Sequence, residues 1–408
     1  MRKPFDLIVF GASGFTGRLV AEYLHTQYGE AGNINWAMAG RNIAKLSEVR
    51  DGLKRAEKVP LLAADAGDPE ALKKLVRQAE VVITTVGPYQ QHGQALATAC
   101  AEAGVDYVDL CGEPGWMAQM IPLLEPLARE SGARIVFSCG FDSIPFDLGV
   151  VYLQDEALQR LGTPLQRVRG RVRTMKGGFS GGTAASLLAT VEAMRRDPAT
   201  ARTMADPFAL TPGFSGPAQP EDDSAVYDER AQAWTAPFVM AAINTKNVHR
   251  TNALRGHPWG EDFVYDERML AGEGRRGGSR ARRLARQSRI QNALLAFAPT
   301  RAMLKRYALP KPGEGPSEAE REAGRFEIDF YGDTFDGRHL AATVTGDRDP
   351  GYGSTSKMIS EAALCLLQDI GREVTTGGVW TPGAAMGLAL VRRLEAHAGL
   401  SFTIQDST

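Results

Sequence analysis

The chain has 408 residues, 43% of them hydrophobic, with 47 Lys and Arg against 48 Asp and Glu for a formal net charge of -1. That length can bury a large core and calls for two domains or one domain with an insertion, while near-neutrality removes any global pull toward nucleic acid or anionic lipid and makes charge recognition a local matter. Met1-Arg2-Lys3-Pro4 leads directly into apolar sequence without room for a signal peptide, no apolar run reaches membrane-spanning length, and Cys100, Cys111, Cys139 and Cys365 show neither metal-ligand nor disulfide spacing, so a cytoplasmic enzyme with reduced, mostly buried thiols is expected.

Leu7-Ile-Val-Phe10 reads as a strand, Gly11, Gly14 and Gly17 as a turn, and Arg18 to Leu24 as a helix. Strand, glycine turn and helix together form a dinucleotide cradle. Gly11 permits the tight turn, Gly14 lets a diphosphate approach bare backbone, and Gly17 lets the helix pack on the strand. The helix N-terminus then offers N-H groups and a positive dipole end to the phosphates. The spacing G-x-x-G-x-x-G alone is also compatible with a simple turn, and the flanking strand and helix favour the nucleotide reading.

The second strand, Asn35 to Asn42, ends in Gly40-Arg41 with no Asp or Glu beside it. An acidic residue there would hold a ribose hydroxyl, whereas an arginine accepts a 2'-phosphate, so Arg41 favours NADPH unless it is only a solvated loop charge. Helix Ala44 to Leu53, strand Pro60 to Asp65 and helix Pro69 to Gln78 follow. Asp65 ends its strand as a candidate partner for the adenine amino group, or as a cap on the next turn. In Ala79 to Tyr89 the Val/Ile run reads as a strand buried on both faces, and Gly87-Pro88 breaks it where a nicotinamide ribose would lie. Helix Gln94 to Ala103, strand Tyr107 to Glu113, helix Trp116 to Ser131 and strand Ala133 to Ser138 lead into Cys139-Gly-Phe-Asp-Ser-Ile-Pro145. These six alternations predict an α/β fold with a doubly wound parallel (Rossmann) sheet.

Beyond about Leu161 the pattern changes. Gln166 to Met175 alternates arginine with smaller residues, as in an antiparallel strand with one wet face, and Phe238 to Asn244, Arg325 to Tyr331 and His339 to Thr345 read similarly. They predict an inserted α+β domain on a mainly antiparallel sheet: residues 149–349 cover the substrate, while 1–148 and 350–408 form the nucleotide domain with C-terminal helices folding back. Ser180-Gly-Gly-Thr183 opens a helix Ala184 to Arg195, and Asp206 to Asp223 is a lid or surface excursion. Arg275 to Arg289 carries seven arginines before Ile290 to Tyr307 turns apolar. It reads either as a solvated helix before a core helix, or as a basic docking face for an acidic carrier or lipid surface beside an apolar channel mouth. In the tail, Ser354 to Gly371 reads as an amphipathic helix, Gly377 to Gly383 as a break, and Ala384 to His397 as a closing helix.

Eight blocks now carry a resemblance: Gly11-Ala-Ser-Gly-Phe-Thr-Gly17, Ala39-Gly-Arg41, Val86-Gly-Pro-Tyr89, Tyr107-Val-Asp-Leu-Cys-Gly-Glu113, Cys139 to Pro145, Ser180 to Thr183, Gly315-Pro-Ser-Glu318 and Gly378-Val-Trp-Thr-Pro382. The chain resembles the saccharopine dehydrogenase-like oxidoreductases and, within them, the trans-acting enoyl reductases that work beside polyketide synthases in bacterial lipid synthesis. The resemblance implies an NADP-dependent reductase with a mixed-sheet domain over its active site. Cofactor contacts are expected from Gly11, Ser13, Gly14, Phe15, Thr16, Arg41, Asp65, Val86, Gly87, Pro88, Tyr89, Gly112, Glu113 and Phe141, with no metal.

Hydride delivery to an enoyl β-carbon needs the cofactor, a donor on the thioester carbonyl and a proton source for the α-carbon. No Ser-His-Asp set, and no Tyr-x-x-x-Lys pair of the short-chain dehydrogenase kind, stands where the reaction needs one, which leaves Tyr89, Tyr107 and Ser143 as weak candidates. Three functions stay open: an enoyl reductase, a C=N or C=O reductase of an amino-acid-like substrate, and an NADP-binding, lipid-associated protein without turnover. An acyl carrier protein, a membrane surface and a second copy of the chain are the partners to consider.

Overall fold

The computed structural model describes residues 3–29, 32–177, 181–297 and 315–405. Ser180 and residues 298–307 of the expected apolar helix lie outside them. All six expected strands form: β1 (Phe5–Phe10), β2 (Trp36–Gly40), β3 (Leu61–Ala63), β4 (Ala79–Thr84), β5 (Asp106–Val108) and β6 (Arg134–Val136). They lie in the order β6-β5-β4-β1-β2-β3, parallel throughout. Period-two side-chain alternation sends Leu7 and Val9 to one face and Ile8 and Phe10 to the other. Helices Phe15–Leu24 and Thr355–Gln368 cover the first face, with Ile144–Leu161 packed against the second sheet in the same core, and Pro69–Val76, Gln94–Ala103 and Pro114–Ser131 cover the second face. This is the doubly wound arrangement that the alternation predicts.

The second sheet combines β7 (Arg167–Lys176), β8 (Val226–Asp228), β9 (Ala233–Pro237), β10 (Val264–Gly272), β11 (Arg325–Asp333) and β12 (His339–Gly346). Among the described residues its neighbours are antiparallel except for β7 and β10, which are parallel. Its inner residues Val168, Val172, Phe326, Ile328, Phe330 and Val344 join the cluster that contains Leu7 and Val9. One core therefore runs from the parallel sheet, through helices Ile144–Leu161 and Thr355–Gln368, to the mixed sheet.

Four local expectations change. Gly377 to Gly383, read as a break, contains β13 (Gly378–Trp380), which extends the parallel sheet beside β6. A three-residue strand paired across some 240 positions leaves no local period to read. After helix Gly387–His397 the chain ends in β14 (Leu400–Ile404), paired with β12 in the mixed sheet. Phe238 to Asn244 is no strand: helix Ala241–Leu254 begins there. That helix buries Asn244, Lys246, Asn247, His249, Arg250, Thr251 and Asn252, so the polar stripe that identifies a surface helix is missing. Thr355–Gln368, expected to be amphipathic, is buried without interruption from Met358 to Leu366 because it has structure on every side.

The arginine face of β7 is only partly wet: Arg173 is exposed and Arg167 partly so, while its middle is dry. Arg171 is buried between Asp228 (2.6 Å) and Asp266 (2.8 Å), Arg169 pairs with Asp333, and Arg173 pairs with Asp329. Desolvation of these guanidinium groups is offset by carboxylates on neighbouring strands. No helix among the described residues is long and apolar enough to cross a membrane, and all four cysteines are free and buried.

Glu361, fully buried on Thr355–Gln368, ties the phosphate-side helix to the tail. It accepts from Tyr23 Oη at 2.6 Å, Tyr28 Oη at 2.7 Å and Arg393 Nε at 2.6 Å. Burial and the adjacent carboxylate hold both tyrosine hydroxyls far above their ordinary pKa, so they stay donors. Glu361→Gln should leave Arg393 with only Asp369 Oδ2, at 2.8 Å, as counter-charge and weaken the bonds from Tyr23 and Tyr28, destabilising the fold by about 1–3 kcal/mol. Urea unfolding followed by circular dichroism measures this, and a loss below about 0.5 kcal/mol, the ordinary surface-mutation range, would show the pair to be dispensable.

Candidate nucleotide-binding and active site

The glycine turn joins β1 to helix Phe15–Leu24 and is held by two strand ends. Gly11 N and Ala12 N donate to Ala39 O at the end of β2 (2.9 and 3.3 Å), and Thr85 N, just past β4, donates to Phe10 O (3.1 Å). Gly11 has φ +91°, and a Cβ there would stand 2.6 Å from Val86 Cγ2. At Gly17 a Cβ would fall 2.1 Å from Gly11 O. These two glycines are demanded by the protein itself. Gly14 is different: it is exposed, its φ is -75°, and its Cβ would meet only Gly11 O, at 3.3 Å. It also caps the helix without a side-chain acceptor. The first-turn N-H groups therefore open onto space that a side chain at position 14 would fill, which fits a diphosphate. Ser13, Phe15 and Thr16 are half-buried on the same turn.

Ser13 Oγ lies 3.8 Å from the Cβ position of Gly40, which brings the end of β2 beside the turn, and Arg41 follows as an exposed residue. Asp65, past the end of β3, is exposed and accepts from Gly67 N at 2.8 Å, so one oxygen stabilises its own turn. Asp68 caps the helix that follows.

Across the turn, Val86 N donates to Thr84 Oγ1 (3.3 Å) and the chain passes Gly87-Pro88 into buried Tyr89. Glu113, also buried, spans β5 and β4 by accepting from Tyr89 N and Gln90 N, each at 2.9 Å. Its carboxylate is thereby committed to positioning the Gly87–Tyr89 turn. Gly112 faces Met240, whose Cε lies 4.0 Å from the glycine's Cβ position. Phe141 N donates to Thr355 Oγ1 at 2.9 Å, and its ring packs on Phe326 with 4.8 Å between centroids.

The three hydroxyls considered as proton donors are all engaged. Tyr89 Oη donates to Thr84 O (3.2 Å) and accepts from Leu110 N (3.0 Å). Tyr107 Oη donates to Asp109 Oδ2 at 2.9 Å. Burial pushes the Asp109 carboxyl up to about 7 against the N-H groups of Cys111 and Ser138 that favour its charge. Ser143 Oγ donates to Asn244 Oδ1 and accepts from Asn247 Nδ2, both at 3.0 Å.

Helix Ala241–Leu254 and its preceding turn contribute the residues that sequence reasoning missed. Together they follow the carboxyl ends of the strands: Met240 is at Gly112 after β5, Asn244 and Asn247 are at Ser143 after β6, and Thr251 meets Thr381 after β13 at 2.5 Å. Asn244 Nδ2 continues to Glu267 Oε2 (2.9 Å), whose other oxygen accepts from Tyr265 Oη (2.7 Å). Burial raises the Glu267 carboxyl to about 8, so it is largely neutral at pH 7. The helix thus closes the β5–β6–β13 half of the crevice. From helix Gly181–Arg196, Ser186 Oγ reaches 3.6 Å from the Cβ position of Gly87. The Ser180-Gly-Gly-Thr183 block announces that helix, but no local pattern points to Ser186.

Residues 7–136 match the model of the saccharopine dehydrogenase NADP-binding domain. A trans-acting enoyl reductase of Mycobacterium ulcerans is 35% identical, covering 96% of each chain, and one of Mycobacterium tuberculosis H37Rv is 36% identical over the same share. Another chain of that strain, provisionally carrying the same name, is 40% identical over 98% of this chain and 97% of its own. The apo saccharopine dehydrogenase (L-Glu forming) of Saccharomyces cerevisiae, 12% identical, superposes with a TM-score of 0.52 over 98% of this chain and 100% of its own, and so shares the fold. With an NADP-binding sheet, a mixed sheet joined to it through one core, and relatives matched nearly end to end, the chain belongs to the trans-acting enoyl reductase branch of the saccharopine dehydrogenase-like oxidoreductases.

Proposed function

We propose that this chain reduces the C=C bond of an enoyl thioester with NADPH, in lipid or polyketide synthesis. The observation that carries the reading is the near full-length match to enoyl reductases. It is joined by the state of the β7 arginines, which are paired with sheet carboxylates rather than gathered around a substrate bearing several carboxylates. The nucleotide unit is 1–148 with 350–408, apart from β14, which pairs with β12 in the mixed sheet, and 149–349 covers the substrate.

In this reading the diphosphate rests on the N-H groups after Gly14, Arg41 holds the 2'-phosphate and Asp65 meets the adenine. Val86 to Tyr89, Gly112, Glu113 and Phe141 shape the nicotinamide end. The bound cofactor supplies a hydride for the β-carbon. The apolar side chain of Met240 stands beside Gly112 to receive an acyl chain and exclude water. Ser186 Oγ, across the Gly87 turn, is placed to donate toward the thioester carbonyl, where negative charge develops before the α-carbon is protonated.

Helix Gly274–Ala296 fits the docking of an acidic carrier protein. Gly277, Gly278, Ala281 and Ala285 are buried on its inner side, against β9 and β10, while Arg275, Arg276, Arg280, Arg282, Arg283, Arg286 and Arg289 are all exposed. Arg282 lies over the Trp234 ring at 5.5 Å. The exposed Ile290 and Phe297 extend the face with apolar surface, and the helix touches Gly181–Arg196, the helix that bears Ser186. Its sidedness supports a docking role: charge that forms no ion pair among the described residues faces out and small residues face in.

Arg41→Ala should weaken NADPH binding by about 1.5–3 kcal/mol, the scale of a charge-assisted hydrogen bond, and leave NADH almost unchanged. Equal losses in calorimetry would remove Arg41 from the 2'-phosphate. NADPH consumption should rise with enoyl chain length, since each buried methylene adds about 0.8 kcal/mol until the channel is full. Indifference to length, together with turnover of a dicarboxylic imine, would replace the enoyl reading. Charge reversal at Arg282, Arg283 and Arg286 should slow reduction of a carrier-bound substrate and flatten its salt dependence while sparing a free thioester. If both forms fall together, the helix has no docking role.

A further inference from the structure

The turn that follows β6 carries a carboxylate with no partner. Ser143 N and Ile144 N donate to Gly140 O (3.1 and 2.8 Å), which closes a tight turn between β6 and helix Ile144–Leu161 at the carboxyl end of the parallel sheet. Four elements wall this turn. A Cβ at Gly140 would stand 2.9 Å from Leu110 Cδ2, just past β5, and 3.2 Å from Thr355 Cγ2 at the start of helix Thr355–Gln368. The Phe141 ring lies on Phe326 of β11, and Ser143 Oγ bonds to Asn244 and Asn247 of helix Ala241–Leu254.

Phe141 and Ser143 are buried and engaged, whereas Asp142 between them keeps part of its surface open. Its carboxylate forms no hydrogen bond or ion pair among the described residues. Charged groups on its own helix and on the four walls are committed elsewhere: Asp147 to Thr251 and Gly383, Asp109 to Tyr107 and Cys111, Glu113 to Tyr89 and Gln90, Asp329 to Arg173, Lys357 to Asp347 and Lys246 to Met204 O. Burial alone pushes the Asp142 carboxyl up to about 6. A carboxyl crowded by protein, unpaired and still partly open to solvent is placed like one on the floor of a cleft, and its desolvation serves no bond within the fold.

We propose that Asp142 is the general acid of the reduction, giving its proton to the α-carbon of the enoyl thioester. The assignment rests on the enoyl reading and fills the role for which the hydroxyls of Tyr89, Tyr107 and Ser143 are not free. Asp142 adjoins Phe141, which lines the nicotinamide end in that reading, so acid and hydride donor work at one end of the cleft. The β-carbon takes the hydride and the C=C pair moves onto the thioester oxygen. As that pair returns, the α-carbon bonds to the Asp142 proton. The carboxylate left behind is reprotonated from solvent, so each turnover consumes one proton with one NADPH.

The test compares the native chain with Asp142→Asn and Asp142→Glu. Asp142→Asn should lower kcat for an enoyl thioester by about 100- to 10,000-fold, the range for loss of a general acid, and leave the NADPH Kd within about twofold of native in calorimetry. In the native chain kcat/KM should fall as pH rises through about 6, since only the protonated carboxyl donates, and this limb should vanish in Asp142→Asn. Asp142→Glu should recover part of the rate together with the limb. A rate within about threefold of native overturns the proposal, as does a limb that survives in Asp142→Asn, which would belong to another buried carboxyl such as Asp147 or Glu267. A parallel loss of NADPH binding also overturns it, because Asp142 would then support the cofactor site. If the native chain reduces no enoyl thioester, the enoyl reading fails and this assignment with it, whereas native turnover beside an unaffected Asp142→Asn removes Asp142 alone. Infrared difference spectra of the resting chain give a readout without turnover: native minus Asp142→Asn should show a protonated carboxyl stretch below the carboxyl's pKa that disappears above it. A carboxylate band throughout overturns the proposal.

Discussion

The close approach of Gly17 to the carbonyl of Gly11 sets the geometry on which the rest of the site depends. A side chain at position 17 would meet that oxygen at 2.1 Å, so only hydrogen at that Cα lets helix Phe15–Leu24 start so near the end of β1. The helix N-terminus is thereby aimed at the crevice outside the strand ends. Glu361 fixes the same helix from behind by binding Tyr23, Tyr28 and Arg393 together. The phosphate turn is thus clamped by close packing at its front and by a buried charge network at its back. Such preorganisation lowers the ordering cost of binding a flexible dinucleotide.

The other half of the crevice is closed by protein. The segment from Met240 through helix Ala241–Leu254 follows the ends of β5, β6 and β13, and its buried amides and hydroxyls bond to Ser143, Glu267, Asp147 and Thr381. A polar helix is stable in such a place because its groups find partners there. Among the described residues the exceptions are Asn247 Oδ1 and His249 Nε2, which are buried without a hydrogen bond. Among the described residues, Ser186 approaches the Gly87 turn and Met240 approaches Gly112. In the proposed reading, a hydroxyl on one side and an apolar side chain on the other suit a thioester with an acyl tail better than a multiply charged amino acid.

Charge is handled differently on the two sides of the mixed sheet. The β7 arginines are neutralised in place, two of them against acids of β11, and this stiffens the sheet. The arginines of Gly274–Ala296 are exposed on a helix whose inner face is Gly and Ala. Residue type alone does not separate these cases. The strand arginines alternate with small residues and the helix arginines cluster, but whether a carboxylate lies opposite is decided by strands and turns more than fifty residues away.

The sequence by itself determined the parallel sheet and the cofactor class. Branched runs, the G-x-x-G-x-x-G turn and the lack of an acid beside Arg41 act through neighbours in the chain, so their physics is local and periodic. Asp65, Gly87 and Gly112 are also at strand ends, as the alternation implied. Tertiary structure alone decided which polar groups are spent and which face the crevice. Tyr89, Tyr107 and Ser143 look available in sequence but are tied to Leu110, Asp109 and Asn244. Ser186 and Met240 carry no signature, yet they are brought to Gly87 and Gly112 from positions roughly one hundred residues away. β13 and the buried helix Ala241–Leu254 escaped for the same reason. Their partners are distant in sequence, and where an element is enclosed on every side no contrast between wet and dry faces remains to give a period.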